Sequence, residues 1–366
     1  MPELTSYMQL MARKKASDCF LSVGAPPSIK IEGETAHLGE TALTAEDVRG
    51  MAYSIMSEKQ QKEYEATLEM NLAVALADGS RFRINVYRQR DTVAIAVRYI
   101  SSDIPSLDQL SLPPKLKELI MLPRGLVLVV GSTGSGKSTT LASMIDYRNH
   151  QRTGHILTIE EPIEFIHRHD KSVVDQREIG LDTLSYENAL KNAMREAPDV
   201  ILIGEIRDRE TMKHAIAYAE TGHLCLSTLH ANNANQTLDR IINFFPDSAR
   251  HQLLIDLSLN LQAVVAMRLV KGLDGRRVPA VELLLHTAYV ADLIEKGEID
   301  QLKEAMKQGV NIGMQTFDEA LYRLYATGRI SLAEALEHAD SRTDLSLRVR
   351  LTNPIEALSD LRMEDL

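Results

Sequence analysis

The hydrophobic and polar positions of the first hundred residues follow the patterns of a small α+β domain. Helical spacing of apolar side chains predicts a helix over residues 4–15, and a capping-box pattern formed by Thr44 and Asp47 predicts a second helix that extends to about residue 56. Strict alternation over residues 81–90 predicts a half-buried strand, and residues 92–100 predict its partner. The apolar face of the first strand consists of Phe82, Ile84 and Val86. Its polar face consists of Arg81, Arg83, Asn85 and Tyr87.

From residue 124 onward the pattern changes to short apolar runs separated by amphipathic stretches. The runs that predict buried parallel strands are residues 126–130, 156–159, 200–203 and 224–227. Helical patterns, such as those over residues 186–195 and 208–220, lie between them. Alternating strands and helices indicate a mostly parallel sheet covered on both faces. After residue 239 the pattern is helical, apart from a possible hairpin over residues 268–285.

Length and proline content set the expected domain organisation. A chain of 366 residues is long enough for two domains. Four prolines between residues 101 and 123 indicate a stiff connection rather than a flexible one. We therefore expect an N-terminal domain at 1–100, a linker at 101–123, a second domain with C-terminal helices at 124–340, and a mobile charged tail at 341–366.

Composition and charge narrow the class of protein. Two cysteines cannot build a disulfide framework or a four-cysteine zinc site. The formal net charge of −10 argues against a broad nucleic-acid surface, which depends on lysine and arginine. The sequence has neither an 18-residue apolar run nor the basic and apolar regions of a signal peptide. We therefore expect a cytoplasmic protein that does not insert directly into a membrane and does not bind nucleic acid.

The strongest chemical signal is a glycine-rich segment between a predicted buried strand and a predicted helix. Residues 131–138 match the phosphate-binding pattern G-x-x-x-x-G-K-[ST]. Glycines let backbone N–H groups point at phosphate oxygens, and the helix N-terminus adds a favourable dipole. Lys137 would contact the β- and γ-phosphates of ATP, and Ser138 would ligate Mg²⁺. A plain glycine-rich turn is the alternative, but the strand–helix context favours the P-loop. The candidate nucleotide-binding residues are Gly131, Ser132, Thr133, Gly134, Ser135, Gly136, Lys137, Ser138 and Thr139.

A second signal is the carboxylate at the end of the apolar run over residues 200–203. Glu205 follows this run, and Asp199 precedes it. An acid at the carboxyl end of a buried strand, downstream of a P-loop, can hold Mg²⁺ or orient the attacking water. Acids also occur at strand ends without any function, but the P-loop makes the functional interpretation the better one.

An acidic segment lies between these two signals. Residues 159–165 carry Glu160, Glu161 and Glu164 beside a proline. Close carboxylates repel one another and favour a nearby cation or proton, so this segment suits Mg²⁺ and a water awaiting deprotonation. A solvated acidic loop is the alternative.

Histidines and arginines supply further candidates with weaker signals. His223 precedes the strand predicted over residues 224–227 and His230 follows it, and a histidine can donate to a phosphate oxygen. Either histidine alone is more simply interpreted as a surface or core residue. Arg81 and Arg83 could reach a γ-phosphate across an interface, although a solvated polar face explains the same pattern.

Together these motifs resemble the type II/IV secretion ATPase superfamily and, within it, the type IV pilus retraction ATPases of the PilT/PilU family. The resemblance covers about residues 4–340. The motifs that carry it are residues 16–18 (Ala-Ser-Asp), 24–27 (Gly-Ala-Pro-Pro), 81–83 (Arg-Phe-Arg), 104–107 (Ile-Pro-Ser-Leu), 131–138, 158–165 (Thr-Ile-Glu-Glu-Pro-Ile-Glu-Phe), 176–178 (Gln-Arg-Glu), 198–199 (Pro-Asp), 204–208 (Gly-Glu-Ile-Arg-Asp), 220–223 (Glu-Thr-Gly-His), 228–230 (Thr-Leu-His) and 313–316 (Gly-Met-Gln-Thr).

The resemblance implies a fold, an assembly and roles for particular residues. The fold would be α/β, with a RecA-like P-loop ATPase domain and a smaller PAS-like α+β domain before it. The assembly would be a homo-hexameric ring that binds ATP and Mg²⁺ between domains. The implied roles are Walker A for Lys137 and Ser138, general base for Glu164, Walker B for Glu205, the His box for His223 and His230, and contacts to neighbouring nucleotides for Arg81, Arg83 and Arg98.

Two departures from the principal retraction motor point to the accessory branch of the family, PilU. Residues 288–295 read Ala-Tyr-Val-Ala-Asp-Leu-Ile-Glu where the principal motor has Ala-Ile-Arg-Asn-Leu-Ile-Arg-Glu, and residues 18–21 read Asp-Cys-Phe-Leu in place of Asp-Leu-His-Leu. The implied function is ATP-driven pilus retraction and twitching motility. The implied partners are the principal retraction ATPase and an inner-membrane platform protein, which would hold this chain at the membrane periphery.

Three alternatives stay open. The chain could be a nucleotide-binding regulatory or structural ring with little turnover, a RecA-like nucleic-acid motor, or a pilus extension motor. The acidic composition disfavours the second alternative. The absence of a four-cysteine motif disfavours the third.

Overall fold

The computed structural model describes residues 3–31 and 33–352, which divide into two compact units. The first unit contains residues up to Asp103, together with the segments Pro162–Arg168 and Glu178–Leu184. The second contains Ile104–Glu161, His169–Arg177 and the chain from Ser185 onward. Near the predicted linker, the boundary between the two units falls between Asp103 and Ile104. This boundary does not test the predicted linker limits at 101 and 123, which stay predictions. The two short segments of the first unit lie within the region predicted as the second domain.

The first unit is built on an antiparallel sheet, with helices formed by the N-terminal part of the chain. Its helices are α1 (Leu4–Lys14), α2 (Ala45–Ser54) and α3 (Glu58–Thr67). Its strands are β1 (Asp18–Ser22), β2 (Ser28–Ile31), β3 (Glu34–His37), β4 (Glu69–Ala75), β5 (Arg81–Gln89) and β6 (Thr92–Ile100). Among the described residues the strand order is β3-β2-β1-β6-β5-β4, and every neighbouring pair is antiparallel.

The side-chain patterns explain this unit. The alternation in β5 buries Phe82, Ile84 and Val86 completely and leaves the arginine face partly exposed, as predicted. Helix α2 begins with a capping box in which Thr44 and Asp47 satisfy each other's backbone N–H groups. The sequence analysis did not predict β1, β3, β4 or α3, although β4 alternates in burial and α3 begins with a capping box formed by Ser57 and Gln60.

The second unit is built on a mixed sheet with helices between its strands. Its strands are β7 (Gly125–Gly131), β8 (Gly154–Glu160), β9 (Ser172–Glu178), β10 (Val200–Ile203), β11 (Leu224–Leu229), β12 (Leu261–Lys271) and β13 (Arg277–Leu285). Its helices are α4 (Lys115–Ile120), α5 (Lys137–Gln151), α6 (Tyr186–Ala193), α7 (Arg209–Glu220), α8 (Ala234–Asn243), α9 (Asp247–Asn260), α10 (Ala288–Lys296), α11 (Leu302–Gln308), α12 (Phe317–Ala326), α13 (Leu332–His338) and α14 (Arg342–Thr352). Short 3-10 turns cover Met194–Glu196, Ile299–Gln301 and Val310–Ile312.

Sheet topology places several loops at one edge of the mixed sheet. Its order over the described chain is β13-β12-β7-β11-β10-β8-β9. Strand β7 is buried along its whole length and runs parallel to both β11 and β12. Strand β10 runs parallel to β11 and β8. The carboxyl ends of these parallel strands therefore meet at the same edge, where α/β sheets bind ligands.

The structure corrects one prediction and extends another. Residues 261–267 were predicted as helical, but they belong to β12, which pairs with β7 on one side and β13 on the other. Their continuous apolar run does not distinguish a buried strand from a buried helix by period alone. In the predicted tail, α14 covers Arg342–Thr352 and buries Leu345 and Val349, whereas 353–366 lie outside the described residues. None of the described helices is long and apolar enough to cross a membrane.

A buried carboxylate joins β13 to the start of α8. Glu282 is 1% exposed and accepts a hydrogen bond of 2.8 Å from the Ala234 N–H. Burial raises the pKa of Glu282 to about 7, and the charge of Asp340 acts in the same direction. The Ala234 N–H and the cations Arg268 and Lys303 oppose this rise. At neutral pH the side chain is therefore poised between its neutral and charged forms.

We predict that Glu282 makes the stability of the fold depend on pH. A raised pKa means that the folded state retains a proton that the unfolded state has lost. The contribution of Glu282 is therefore complete below the unfolded pKa and disappears as pH rises through about 7. Glu282→Gln should raise the free energy of unfolding by about 2–3 kcal/mol at pH 8 and much less at pH 5.

Urea midpoints of wild type and variant at the two pH values would measure this difference. The exposed Glu295, changed to Gln, serves as the matched control and should show no such pH dependence. An equal stabilisation by Glu282→Gln at both pH values would contradict the prediction.

Candidate active site

The glycine-rich segment forms a tight loop between β7 and α5. Gly131 ends β7, and Lys137 is the first residue of α5. Gly131, Gly134 and Gly136 have φ values of 152°, 77° and 94°, a region that favours glycine. These conformations curl the backbone around the N-terminus of α5, where the helix dipole favours an anion.

The interior of this loop fits a phosphate group. A Cβ added to Gly131 would lie 2.4 Å from Ser135 Oγ and 2.6 Å from the Met267 carbonyl oxygen, so only glycine is tolerated there. Ser135 Oγ is buried and has no hydrogen-bond partner among the described residues. The Lys137 ammonium donates to the carbonyl oxygens of Gly131 and Ser132, each at 2.9 Å. A bound phosphate would offer new acceptors to both side chains.

A second group of charged side chains follows the carboxyl ends of β8, β10 and β11. Glu205 Oε2 lies 2.7 Å from Arg207 Nε, and Glu205 Oε1 lies 3.1 Å from His230 Nε2. Arg207 also pairs with Glu161 at 3.0 Å, and its contact with Glu205 raises the pKa of its guanidinium. We call these four residues, Glu161, Glu205, Arg207 and His230, the carboxylate cluster. The cluster joins the acidic segment, the Walker B candidate and the second histidine.

Backbone contacts fix the strand ends that carry this cluster. The Gly204 N–H donates to the Ile159 carbonyl, and the Ile206 N–H donates to the Thr228 carbonyl. Thr228 Oγ1 donates to the Gly204 carbonyl at 2.7 Å. A Cβ on Gly204 would lie 2.9 Å from Tyr186 Oη and 3.2 Å from the Ile159 carbonyl oxygen, so the backbone here is tightly packed. Glu205 therefore projects from a rigid position.

The structure separates the two candidate histidines. His230 follows Leu229, which pairs with Val130 immediately before the P-loop. The His223 carbonyl instead accepts from the Gly125 N–H, at the start of β7. The seven residues of β7 span about 20 Å, so His223 lies at the opposite edge of the sheet from its own P-loop. The chain brings only His230 towards the P-loop edge.

The remaining candidates, Glu164, Arg81, Arg83 and Arg98, belong to the first unit. Glu164 lies on the Pro162–Arg168 segment. Arg98 pairs with Asp18 at 2.8 Å, and Arg83 Nε lies 3.8 Å from Glu178 Oε1. The predicted roles of these residues at a nucleotide remain predictions.

Two residues of the second unit were missed by the sequence analysis. Arg207 lies two residues after Glu205 in the motif over residues 204–208. This spacing was a usable signal that the two side chains could pair. Arg240 donates to the His230 carbonyl at 2.9 Å and lines a cavity beside the P-loop with Ser132. Nothing in the local pattern of α8 identifies Arg240, because a helix surface commonly carries arginine.

The ligands available to a metal are few. The described residues contain no group of three histidine, cysteine, aspartate or glutamate side chains that could enclose an ion. Ser138 and Glu205 are the predicted ligands, and Mg²⁺ commonly takes one or two protein ligands, with phosphates and water completing its shell. The donor set therefore suits Mg²⁺ that arrives with a nucleotide.

A glycine-rich loop and a strand-end carboxylate, both at the carboxyl ends of parallel strands of the mixed sheet, are the arrangement expected of a RecA-like ATPase domain. The family model for the type II/IV secretion system protein matches residues 42–351. The chain is 51% identical over 356 residues to the type IV pilus ATPase PilU of Pseudomonas aeruginosa, covering 97% of this chain and 93% of PilU. It is 41% identical to the retraction ATPase PilT of the same organism, covering 92% and 98%.

Solved structures agree with these relatives. The crystal structure of the pilus retraction motor PilT with bound ADP matches with a TM-score of 0.87 and 40% identity, covering 93% of this chain and 98% of PilT. The Legionella pneumophila ATPase DotB matches at 0.77 and 27%, covering 89% and 92%. The chain belongs to the type IV pilus ATPases of the type II/IV secretion family, and it is more similar to PilU than to PilT. The predicted fold class, an N-terminal α+β domain with a RecA-like ATPase domain, is confirmed.

We predict that Gly131→Ala abolishes nucleotide binding. Its Cβ would collide with a backbone carbonyl of β12, which cannot move aside like a flexible side chain. Gly275→Ala is the matched control, since Gly275 also has positive φ (80°) but has nothing within 4 Å of an added Cβ. The control should lose about 1 kcal/mol of stability and keep full affinity. Titration with a fluorescent ATP analogue would measure binding, and wild-type affinity in Gly131→Ala would contradict the prediction.

Proposed function

We propose that this chain hydrolyses ATP as part of a type IV pilus retraction machine. The observation that carries the proposal is the position of the P-loop and the carboxylate cluster at one edge of the mixed sheet. The similarity to PilU and PilT, both named as pilus ATPases, supports the same activity. A PilT structure with bound ADP supports nucleotide as the substrate class.

The chemistry assigns distinct tasks to the side chains. Lys137 leaves its own loop carbonyls to bind the β- and γ-phosphates, and the loop N–H groups hold the same oxygens. Ser138 and Glu205 would hold Mg²⁺, which would neutralise phosphate charge. Glu164 accepts a proton from the attacking water as the water oxygen bonds to the γ-phosphorus. The bond between the γ-phosphorus and the β–γ bridging oxygen breaks, which releases ADP and phosphate.

Further residues of this chain stabilise charge around the reaction. His230 donates to a phosphate oxygen or holds Glu205 in place. An arginine of the first unit, Arg81, Arg83 or Arg98, stabilises negative charge on a nucleotide of a neighbouring copy. His223 lies at the far edge of the sheet, so it does not act on a nucleotide bound at the P-loop of its own chain.

At the level of the cell, the chain acts as an accessory retraction ATPase. We propose a homo-hexamer that works with the principal retraction ATPase and an inner-membrane platform protein. Its place is the cytoplasm, peripheral to the inner membrane through the pilus machine. The higher identity to PilU than to PilT supports the accessory role. A regulatory ring with little turnover is the second candidate, and turnover measurements separate the two.

We predict that Glu164→Gln binds ATP with wild-type affinity but hydrolyses it at least a hundredfold more slowly, because glutamine cannot accept the proton. Lys137→Ala should lose binding itself, since it removes the phosphate contact. Steady-state phosphate release and nucleotide titration on the purified full chain measure both effects. Lys191→Ala, which removes an exposed ion pair with Glu187, is the control and should match wild type.

Two results would contradict this proposal. Wild-type turnover in Glu164→Gln would remove Glu164 as the base. A wild-type rate no higher than that of Lys137→Ala would favour the regulatory ring.

In cells, we predict that deletion of this gene reduces pilus retraction force without abolishing retraction. Deletion of the gene for the principal retraction ATPase should abolish retraction. Measurement of retraction force in each strain tests the accessory role. Complete loss of retraction in the first strain would show that this chain is itself the principal motor.

A further inference from the structure

The helix that begins at the P-loop carries several buried polar side chains. Thr140, Ser143, Arg148 and Asn149 of α5 are each between 1% and 3% exposed. A buried polar group is costly unless it is hydrogen-bonded. The partners of these side chains therefore show which parts of the chain α5 holds in place.

Arg148 binds the end of the short helix α4. Its Nη1 atom donates to the carbonyls of Ile120, at 2.7 Å, and Leu122, at 3.0 Å. Carbonyls at a helix C-terminus carry partial negative charge, so a guanidinium suits them. Burial lowers the pKa of this guanidinium, and the charge of Arg152 acts in the same direction against that of Asp199. The guanidinium still keeps its proton at neutral pH, and its two bonds offset part of the cost of its burial.

Ser143 binds the beginning of the same stretch of chain. Ser143 Oγ lies 2.6 Å from the Pro105 carbonyl and 2.7 Å from the Thr139 carbonyl, and its single proton can serve either of them. We call residues 105–122 the connecting segment, which lies in the second unit together with α5. The helix therefore holds this segment near both ends, through Ser143 at its start and Arg148 at its end.

The connecting segment is packed between these two anchors. Its apolar side chains that are at most 7% exposed are Leu107, Leu112, Leu116, Leu119 and Ile120. Lys117 forms an ion pair with Asp108 at 2.7 Å within the segment, and its ammonium lies 5.7 Å from the centre of the Tyr147 ring of α5. These contacts make the segment part of the second unit rather than a spacer.

Helix geometry joins these contacts to the P-loop. Lys137 begins α5, and Arg148 lies in its last turn. The two residues are about 16 Å apart along one continuous helix. A displacement of the P-loop on binding phosphate would move the far end of a rigid helix with it, and the connecting segment is hydrogen-bonded to that end.

We propose that Arg148 is a positioning residue that couples the P-loop to the connecting segment. A phosphate bound by the P-loop fixes the start of α5, α5 carries Arg148, and Arg148 holds the carbonyls at the end of α4. The inference rests on the proposed function insofar as the P-loop binds nucleotide. It extends the effect of nucleotide to residues 105–122, which lie outside both the P-loop and the carboxylate cluster.

Hydrogen–deuterium exchange of backbone amides measures this coupling. In wild type, saturating ADP should slow the exchange of residues 115–122 about fivefold. Arg148→Met keeps the length and the apolar contacts of the side chain but removes both hydrogen bonds. ADP should then slow this exchange by less than about twofold, and exchange without ADP should be about tenfold faster than in wild type. Arg148→Lys retains a cationic donor and should restore about half of the ADP effect.

Kinetics and a matched control separate coupling from loss of structure. Arg148→Met should lower kcat about fivefold and leave ADP affinity within about twofold of wild type, because it removes no contact with nucleotide. Arg152→Met replaces an exposed arginine directly after α5 and should match wild type in exchange and in kcat.

A second variant tests the other anchor if Arg148→Met does not fold. Ser143→Ala removes the bond to the Pro105 carbonyl and places a good helix former in α5. It should reduce the effect of ADP on the exchange of residues 106–112 by about half. An unchanged ADP effect in Ser143→Ala would count against the coupling.

The outcomes distinguish this inference from the proposed function. If ADP slows the exchange of residues 115–122 equally in wild type and in Arg148→Met, Arg148 does not couple the two regions and the inference is wrong. If ADP binds to wild type and leaves this exchange unchanged, the P-loop and the connecting segment are independent and the inference also fails. If ADP binding and exchange behave as expected but ATP is not hydrolysed, the proposed hydrolysis fails while the coupling stands.

Discussion

The close approach of β7, the P-loop and β12 at Gly131 is the constraint on which the second unit depends. A single added carbon would meet both the Ser135 hydroxyl and the Met267 carbonyl. The same contact lets the loop turn sharply out of a strand that is buried along its whole length. The shape of the proposed phosphate site is therefore set by backbone packing, and the side chains of the loop occupy a space that the sheet defines.

The electrostatics of the sheet edge follow from that geometry. Glu205 is mostly buried at 16% exposure, whereas Arg207 is 55% exposed, so the guanidinium can exchange its partner at lower cost than the carboxylate can. Arg207 balances the charges of Glu161 and Glu205, which would otherwise repel each other. A metal bound by Glu205 would compensate the charge of this carboxylate in place of Arg207. Arg207 would then remain paired with Glu161.

The sequence predicted those parts of the fold whose pattern is local. The alternation in β5, the capping box at Thr44 and the four buried parallel strands were each correct, because period and capping chemistry are properties of adjacent residues. The helix predicted over residues 261–267, the start of β12, was wrong, because an apolar run has no period that distinguishes strand from helix. The pairing of Arg83 with Glu178 could not be predicted, since it joins residues that are distant in the sequence.

The grouping of the Pro162–Arg168 and Glu178–Leu184 segments with the first unit has a consequence for how this chain can be divided. The chain passes between the two units five times, at 103/104, 161/162, 168/169, 177/178 and 184/185. A fragment that ended at Asp103 would lack two segments of its own unit, and one that began at Ile104 would carry those segments without the rest of that unit. Exchange of the first unit between relatives would therefore need to include both segments.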